Sequence, residues 1–212
     1  MLFVLPFSSI LCKIIAGTGF PKNIQGKRKG EFPFYKVGDI SNNVKTGYRH
    51  LRFCDNYIDS SDLKNITSKI LPSESIVFAK IGEALKLNRR AITSMESLID
   101  NNAIGLKGEK ELNDLYLYFF FLTIKLEKYS RATTVPSVRK SDIETIPLPL
   151  PPLPIQRAIV SKIETLFSDL DNGIADLKTA QEQLKIYRQA VLKKAFEGEL
   201  TKAWREQQSN LP

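Results

Sequence analysis

In the last quarter of the chain apolar residues fall at alternating steps of four and three, from Val160 through Ile163, Phe167, Leu170, Ile174 and Leu177 to Leu184 and Val191. That spacing keeps one narrow stripe on one side of an α-helix, as in a coiled-coil seam, rather than the broader face of a helix packed in a globular domain. Written as heptads, a is Val160, Phe167, Ile174, Gln181, Arg188 and Ala195, and d is Gln156, Ile163, Leu170, Leu177, Leu184 and Val191; nine of the twelve are apolar. Gln181 and Arg188 fix the register, because misalignment would bury them against leucines. The proline cluster at 147–155 is a predicted hinge, since proline fixes φ and lacks an amide hydrogen. The spacing predicts a helix over 156–201 and a tail over 202–212. At about 1.5 Å per residue, Gln156 to Ala195 spans roughly 60 Å, longer than a 150-residue domain is wide. Such a helix either folds back on its own domain or meets a partner helix, as in a homodimer.

Upstream the periods are shorter and mixed. Residues 1–16 read as strand, and Gly17-Thr18-Gly19-Phe20-Pro21 turns the chain. Residues 32–37 read as a short strand ending at Gly38-Asp39, followed by an irregular polar segment to about residue 50. Residues 59–69 read as a short helix with Ser60, Ser61 or Asp62 as N-cap. Ser75 to Gly82 is a buried strand, Ala91 to Ser97 a further one, and Leu112 to Lys128 a core helix opened by Asn113 or Asp114. The whole is an α+β chain: a mixed globular domain over 1–146, then one long coiled-coil-forming helix.

Composition narrows the function. Two cysteines and one histidine, His50, argue against a disulfide framework, a zinc site or a histidine-centred triad. The acidic residues are scattered, and no Gly-x-Ser-x-Gly, His-x-Glu or Cys-x-x-Cys is present, so the chain reads as non-catalytic. The apolar opening lacks a basic n-region and is broken by Pro6, and the apolar run Leu115 to Ile124 is too short for a membrane span. A cytoplasmic protein without a membrane segment is expected.

Charge adds the partner. Residues 1–150 carry 22 Lys and Arg against 15 Asp and Glu, while 151–212 carry 9 against 8. Within 13–52 nine cations face only Glu31 and Asp39, interleaved with Phe20, Phe32, Phe34, Tyr35 and Tyr48. Lysine and arginine neutralise phosphates, while aromatics and amides can address bases, so the pattern suits a polyanion as well as a merely solvated basic surface. The candidate residues of that surface, which the resemblance given below makes a surface for double-stranded DNA, are Lys22, Lys27, Arg28, Lys29, Lys36, Asn42, Asn43, Lys45, Arg49 and Arg52. A second basic knot adds Lys86, Arg89 and Arg90, and a polar loop adds Arg131, Arg139 and Lys140.

Four stretches carry a resemblance: Ile146 to Leu153, Gln156-Arg157 with Ile159-Val160, Leu170 to Ile174, and Tyr187 to Thr201. Together they resemble the specificity subunit of type I restriction-modification enzymes. Gly17 to Pro21 with Gln25-Gly26, and Phe34 to Ile40, are similar to one class of its target-recognition domains. Where that family commonly has an acidic residue before the glutamine, this chain has Ile155. The resemblance implies a DNA-recognition subunit that binds methyltransferase subunits and, in the full complex, a motor-nuclease subunit. S-adenosylmethionine and ATP would then belong to the partners, with no cofactor on this chain. It further implies one recognition domain and one helix, half of a full subunit, reading one half of a bipartite site. A free-standing dimeric DNA-binding transcriptional regulator is the alternative, and a pure oligomerisation module the third reading.

Overall fold

The computed structural model describes residues 3–6 (backbone only), 11–64, 66, 69–130 and 135–208. Element order is β1 (Phe3–Pro6), β2 (Cys12–Ala16), β3 (Phe32–Tyr35), α1 (Val37–Lys45), β4 (Tyr57–Ile58), α2 (Ser60–Leu63), β5 (Ile76–Ala79), α3 (Glu83–Lys86), β6 (Ala91–Ile92), β7 (Leu98–Ile99), β8 (Ala103–Gly108), α4 (Asp114–Thr123), α5 (Lys140–Ile143), β9 (Pro147–Leu150), α6 (Leu153–Phe196) and α7 (Lys202–Glu206). Two units result, Met1–Val160 and Ser161–Pro212. The α+β class with a long C-terminal helix is the architecture the sequence predicts.

The all-apolar run Ile76-Val77-Phe78-Ala79 must be covered on both faces, and β5 is accordingly an inner strand of the antiparallel sheet β2-β8-β5-β6. Its register pairs Ile76 with Leu106 and Phe78 with Ile104. A second sheet, β4-β3-β7, sets Phe34 beside Leu98 in parallel. Phe34, Ile58, Ile66 and Leu98 form its apolar cluster, and Phe20 stacks on Phe34 at 4.0 Å. Gly17 joins the sheets: the Thr18 amide donates to the Ile99 carbonyl at 3.0 Å, and a Cβ at Gly17 would lie 1.8 Å from the Asp100 carbonyl oxygen.

Three segments differ from expectation. The supposedly irregular stretch after Val37 is the helix α1, with Val37, Ile40 and Val44 packed on the main core cluster. The spacing of those three residues is helical, but the asparagines between them mask it. Its start is fixed by Asp39, whose carboxylate accepts the Lys36 amide at 2.8 Å. The helix expected over 59–69 shrinks to α2; Asp59 is its N-cap residue and its amide donates to Asp62 at 3.1 Å. The expected strand 91–97 forms only β6, because Thr93 turns inward and its hydroxyl bonds the Pro72 carbonyl at 3.0 Å.

The prolines are not a hinge. Pro147–Leu150 is β9, paired antiparallel with β1 from Phe3 opposite Leu150 to Pro6 opposite Pro147. A strand with a single partner can lack amide donors on its free edge, which is where proline is tolerated. Pro154 then sits in the first turn of α6, where its missing donor removes no helical bond. Gln156, assigned to the seam by heptad position, is fully buried instead. Its Oε1 accepts the Asn113 amide at 2.9 Å, and its Nε2 donates to the carbonyls of Glu111 at 2.9 Å and Pro151 at 2.8 Å. Val160, likewise assigned to the seam, is buried within the globular unit. Gly198 follows the end of α6, and α7 forms in the expected tail.

Replacing Gln156 with Ala leaves one amide and two carbonyls without their partner, at about 1–3 kcal/mol each when water cannot reach them. Urea unfolding of Gln156→Ala is expected to lose roughly 3 kcal/mol, with Gln156→Glu intermediate because it keeps the acceptor.

Candidate nucleic-acid interface

Burial sorts the predicted basic surface. Lys22, Arg28, Lys29, Asn42, Lys45, Arg52, Lys86, Arg139 and Lys140 are exposed, while Arg49 and Arg89 are half-buried. Arg131 lies outside the described residues. Asn43 and Arg90 are corrected, since both are buried at 1% exposure. Asn43 is a structural amide: its Nδ2 donates to the carbonyls of Asp39 and Phe53 at 2.9 and 3.0 Å, and its Oδ1 accepts the amides of Arg52 and Phe53 at 2.8 and 3.2 Å. A sequence cannot separate it from its exposed neighbour Asn42, because both are polar residues on one helix.

Arg90 is held by neutral groups. Its guanidinium lies 4.7 Å over the Phe78 ring and donates to the Arg89 carbonyl at 3.0 Å and to Asn88 Oδ1 at 2.7 Å. Its Nε has no hydrogen-bond partner. Burial pulls its pKa down to about 10, the direction expected for a cation removed from water without a carboxylate beside it. Asn88, in the left-handed region at φ 52°, turns the chain just before the pair, leaving Arg89 half-buried and Arg90 buried.

The exposed cations sit on separate supports. In the 22–30 turn, Gly26 donates to Asn56 Oδ1 at 3.0 Å and the Lys27 carbonyl accepts from the Tyr57 amide at 2.7 Å. Lys27 bonds Asp59; that contact raises the Lys27 pKa and holds Asp59 below the usual carboxylate range. Lys36 donates to Gln25 Oε1 at 3.1 Å and lies 5.2 Å over Phe20. Lys86 pairs with Glu83 at 2.7 Å. The hydrogen bonds of Lys27, Lys36 and Lys86 are exposed and of the kind that contributes little to stability, so these lysines can exchange onto a phosphate.

A cleft of about 300 Å³ gathers Lys80, Arg139 and Lys140 against Ile81 and Ser137. Lys80 was missing from the sequence-derived surface. The signal is a lone charge closing the apolar strand 76–79, and tertiary pairing supplies the rest: the Val138 amide donates to the Lys80 carbonyl at 2.9 Å, and Ile81 bridges Ser137. Among the described residues no group of three His, Cys, Asp or Glu side chains could hold a metal ion, and no helix is long and apolar enough to cross a membrane.

The second unit carries the seam. Leu170, Leu177 and Leu184 are 60, 73 and 67% exposed, and Phe167 and Ile174 are also exposed, while Ile163 and Val191 are half-buried. Gln181 and Arg188 lie exposed among them. A shallow apolar groove of about 470 Å³ follows Ile174, Leu177, Gln181 and Leu184 along the helix.

The chain thus combines a mixed α+β domain carrying basic loops with one long helix bearing exposed apolar residues at heptad spacing. The sequence model of the type I restriction modification DNA specificity domain matches residues 11–179, and the chain belongs to that family. It is 39% identical over 195 residues to the type I restriction enzyme EcoBI specificity subunit of Escherichia coli, covering 91% of this chain and 38% of that one. It is 33% identical over 188 residues to the EcoKI specificity subunit of Escherichia coli, covering 81% of this chain and 40% of the relative. The chain therefore spans about 40% of the length of these relatives. In fold it is similar to the crystal structure of the HsdS subunit from Thermoanaerobacter tengcongensis, with a TM-score of 0.65, 20% identity, and 93% of this chain and 45% of that chain covered.

Adjacent arginines provide the test of this sorting. Arg90→Ala is expected to lower the unfolding free energy by about 3 kcal/mol, through a lost ring contact and unmet carbonyls. Arg89→Ala is expected to change it by less than about 0.5 kcal/mol. Chemical denaturation of the two variants checks the difference.

Proposed function

We propose that this chain is the non-catalytic DNA-recognition subunit of a type I restriction-modification system, with its globular domain reading one half of a bipartite site. The family match carries the proposal, because it runs unbroken from the recognition domain into the seam-bearing helix. The exposed lysines and arginines of the 22–52 region, the Lys86–Arg89 turn and the Lys80–Arg139–Lys140 cleft would hold phosphates and fix the protein's position on the duplex. Contacts to base edges would supply the sequence preference.

The long helix would pair with a second copy through Ile163, Phe167, Leu170, Ile174, Leu177, Leu184 and Val191. Leucines left open to solvent at heptad spacing support that reading. A two-fold pair would present two recognition domains to two identical half-sites read in opposite orientation. The pair would serve as the scaffold for methyltransferase subunits and, in the full complex, a motor-nuclease subunit. S-adenosylmethionine and ATP would be bound by those subunits and not by this chain.

Two measurements test the proposal. Sequencing methylated adenines after reconstitution with the methyltransferase subunits is expected to give one bipartite palindromic site; methylation without sequence preference would overturn it. In light scattering the full chain is expected to be a dimer, and Leu177→Lys with Leu184→Lys a monomer. Each leucine loses about 2 kcal/mol of burial and is changed on both strands, so even one substitution weakens pairing by on the order of a thousandfold.

A further inference from the structure

Aromatic side chains in the globular unit are mostly covered, whatever their place in the sequence. Phe34 and Tyr35, which stand among the cations of the basic stretch, are core residues at 0 and 3% exposure. Among the described residues through Val160, two aromatics are exposed: Tyr48 at 38% and Phe53 at 59%. They are neighbours, with ring centroids 6.4 Å apart and planes tilted by 58°. The guanidinium of Arg52 lies 3.8 Å over the Tyr48 ring. This exposed cluster of ring, cation and ring contributes nothing to the core, and it falls inside the most basic stretch of the chain.

The loop carrying the cluster is pinned on both sides. Gly47, at φ 82°, reverses the chain at the end of α1, and its amide donates to the Val44 carbonyl at 3.1 Å. The Arg49 carbonyl accepts from the Ile92 amide at 2.9 Å, and the Leu51 amide donates to the Ile92 carbonyl at 2.8 Å. The Ser94 hydroxyl donates to the Leu51 carbonyl at 2.7 Å. Asn43 then takes the amides of both Arg52 and Phe53. A buried asparagine with its bonds satisfied therefore has a purpose beyond packing: it sets the backbone under the two residues displayed most openly. Little ordering remains to be done on binding, which is how a preorganised contact keeps its entropic cost low.

We propose that Tyr48, Arg52 and Phe53 are the base-reading element of the DNA interface, and that Asn43 is its positioning residue. This rests on the DNA-recognition reading above and goes further by assigning sequence discrimination to one loop. Exposed and 3.8 Å over the Tyr48 ring, the Arg52 guanidinium offers a fork of donors of the kind that matches the O6 and N7 acceptors of guanine in the major groove. Phe53 supplies an apolar contact of the kind made with a thymine methyl group. Lys45, exposed on the last turn of α1, supplies a neighbouring charge suited to a phosphate.

The experiment selects a pool of random-sequence duplexes on the full chain, assembled with its methyltransferase subunits, and sequences the bound fraction. Wild type, Arg52→Ala, Arg52→Lys, Phe53→Ala and Lys45→Ala are compared after thermal melting shows that each is folded. Wild type is expected to enrich a motif. Both Arg52 variants and Phe53→Ala are expected to lose discrimination at one or more positions of it by about tenfold or more. Lys45→Ala is expected to keep the motif, bind every duplex more weakly and reduce the salt slope by about one. Folded Arg52 and Phe53 variants that enrich the wild-type motif with unchanged discrimination overturn the inference while leaving the DNA-recognition reading intact. The same result accompanied by lost methyltransferase assembly also overturns it and assigns the cluster to a protein partner. A wild-type complex that enriches nothing sinks the DNA-recognition reading itself.

Discussion

A single buried amide sets where the long helix begins. Gln156 bonds the Asn113 amide, which opens the core helix α4, and the carbonyls of Glu111 and Pro151. One side chain thus ties together the turn before α4, the end of β9 and the first turn of α6. The Pro151 bond is buried and the other two are partly buried, so breaking them carries a desolvation cost that holds the junction. The pairing of β9 with β1 and the burial of Val160 complete the same anchorage.

Beyond Val160 the constraint reverses. The globular unit buries most of its apolar residues in a core, while the helix leaves leucines exposed at a spacing that suits another helix. Apolar residues at that spacing suit a partner helix, and the polar Gln181 and Arg188 stand exposed among them.

Charge and burial divide the recognition unit in a similar way. Nine cations between residues 13 and 52 look equivalent as a list. The fold puts them to different uses: Lys36 caps a ring, Lys27 pairs with Asp59, and Arg52 lies on Tyr48 in solvent. Arg90 is withdrawn altogether, its charge offset by the Phe78 ring and neutral oxygens. Cations that look alike in the sequence therefore stand in different environments in the fold.

The long helix, the buried strand at Ile76–Ala79 and the core helix near Leu117 are legible in the sequence, because each is a local period or an unbroken apolar run. The basic bias of the first 150 residues is legible for the same reason: charge can be counted without knowing where the chain goes. Other features depend on partners distant in sequence. Whether the prolines at 147–150 form a hinge or a strand is decided by β1, some 140 residues away. Whether Asn43 reads a base or holds a loop is decided by the amides of Arg52 and Phe53. Which of Arg89 and Arg90 faces water is decided by the turn at Asn88 and the ring of Phe78. Periodicity and charge are properties of neighbouring residues, and the sequence by itself determines them. Burial and hydrogen-bond partnership are properties of the packed chain, and only the tertiary structure decides them.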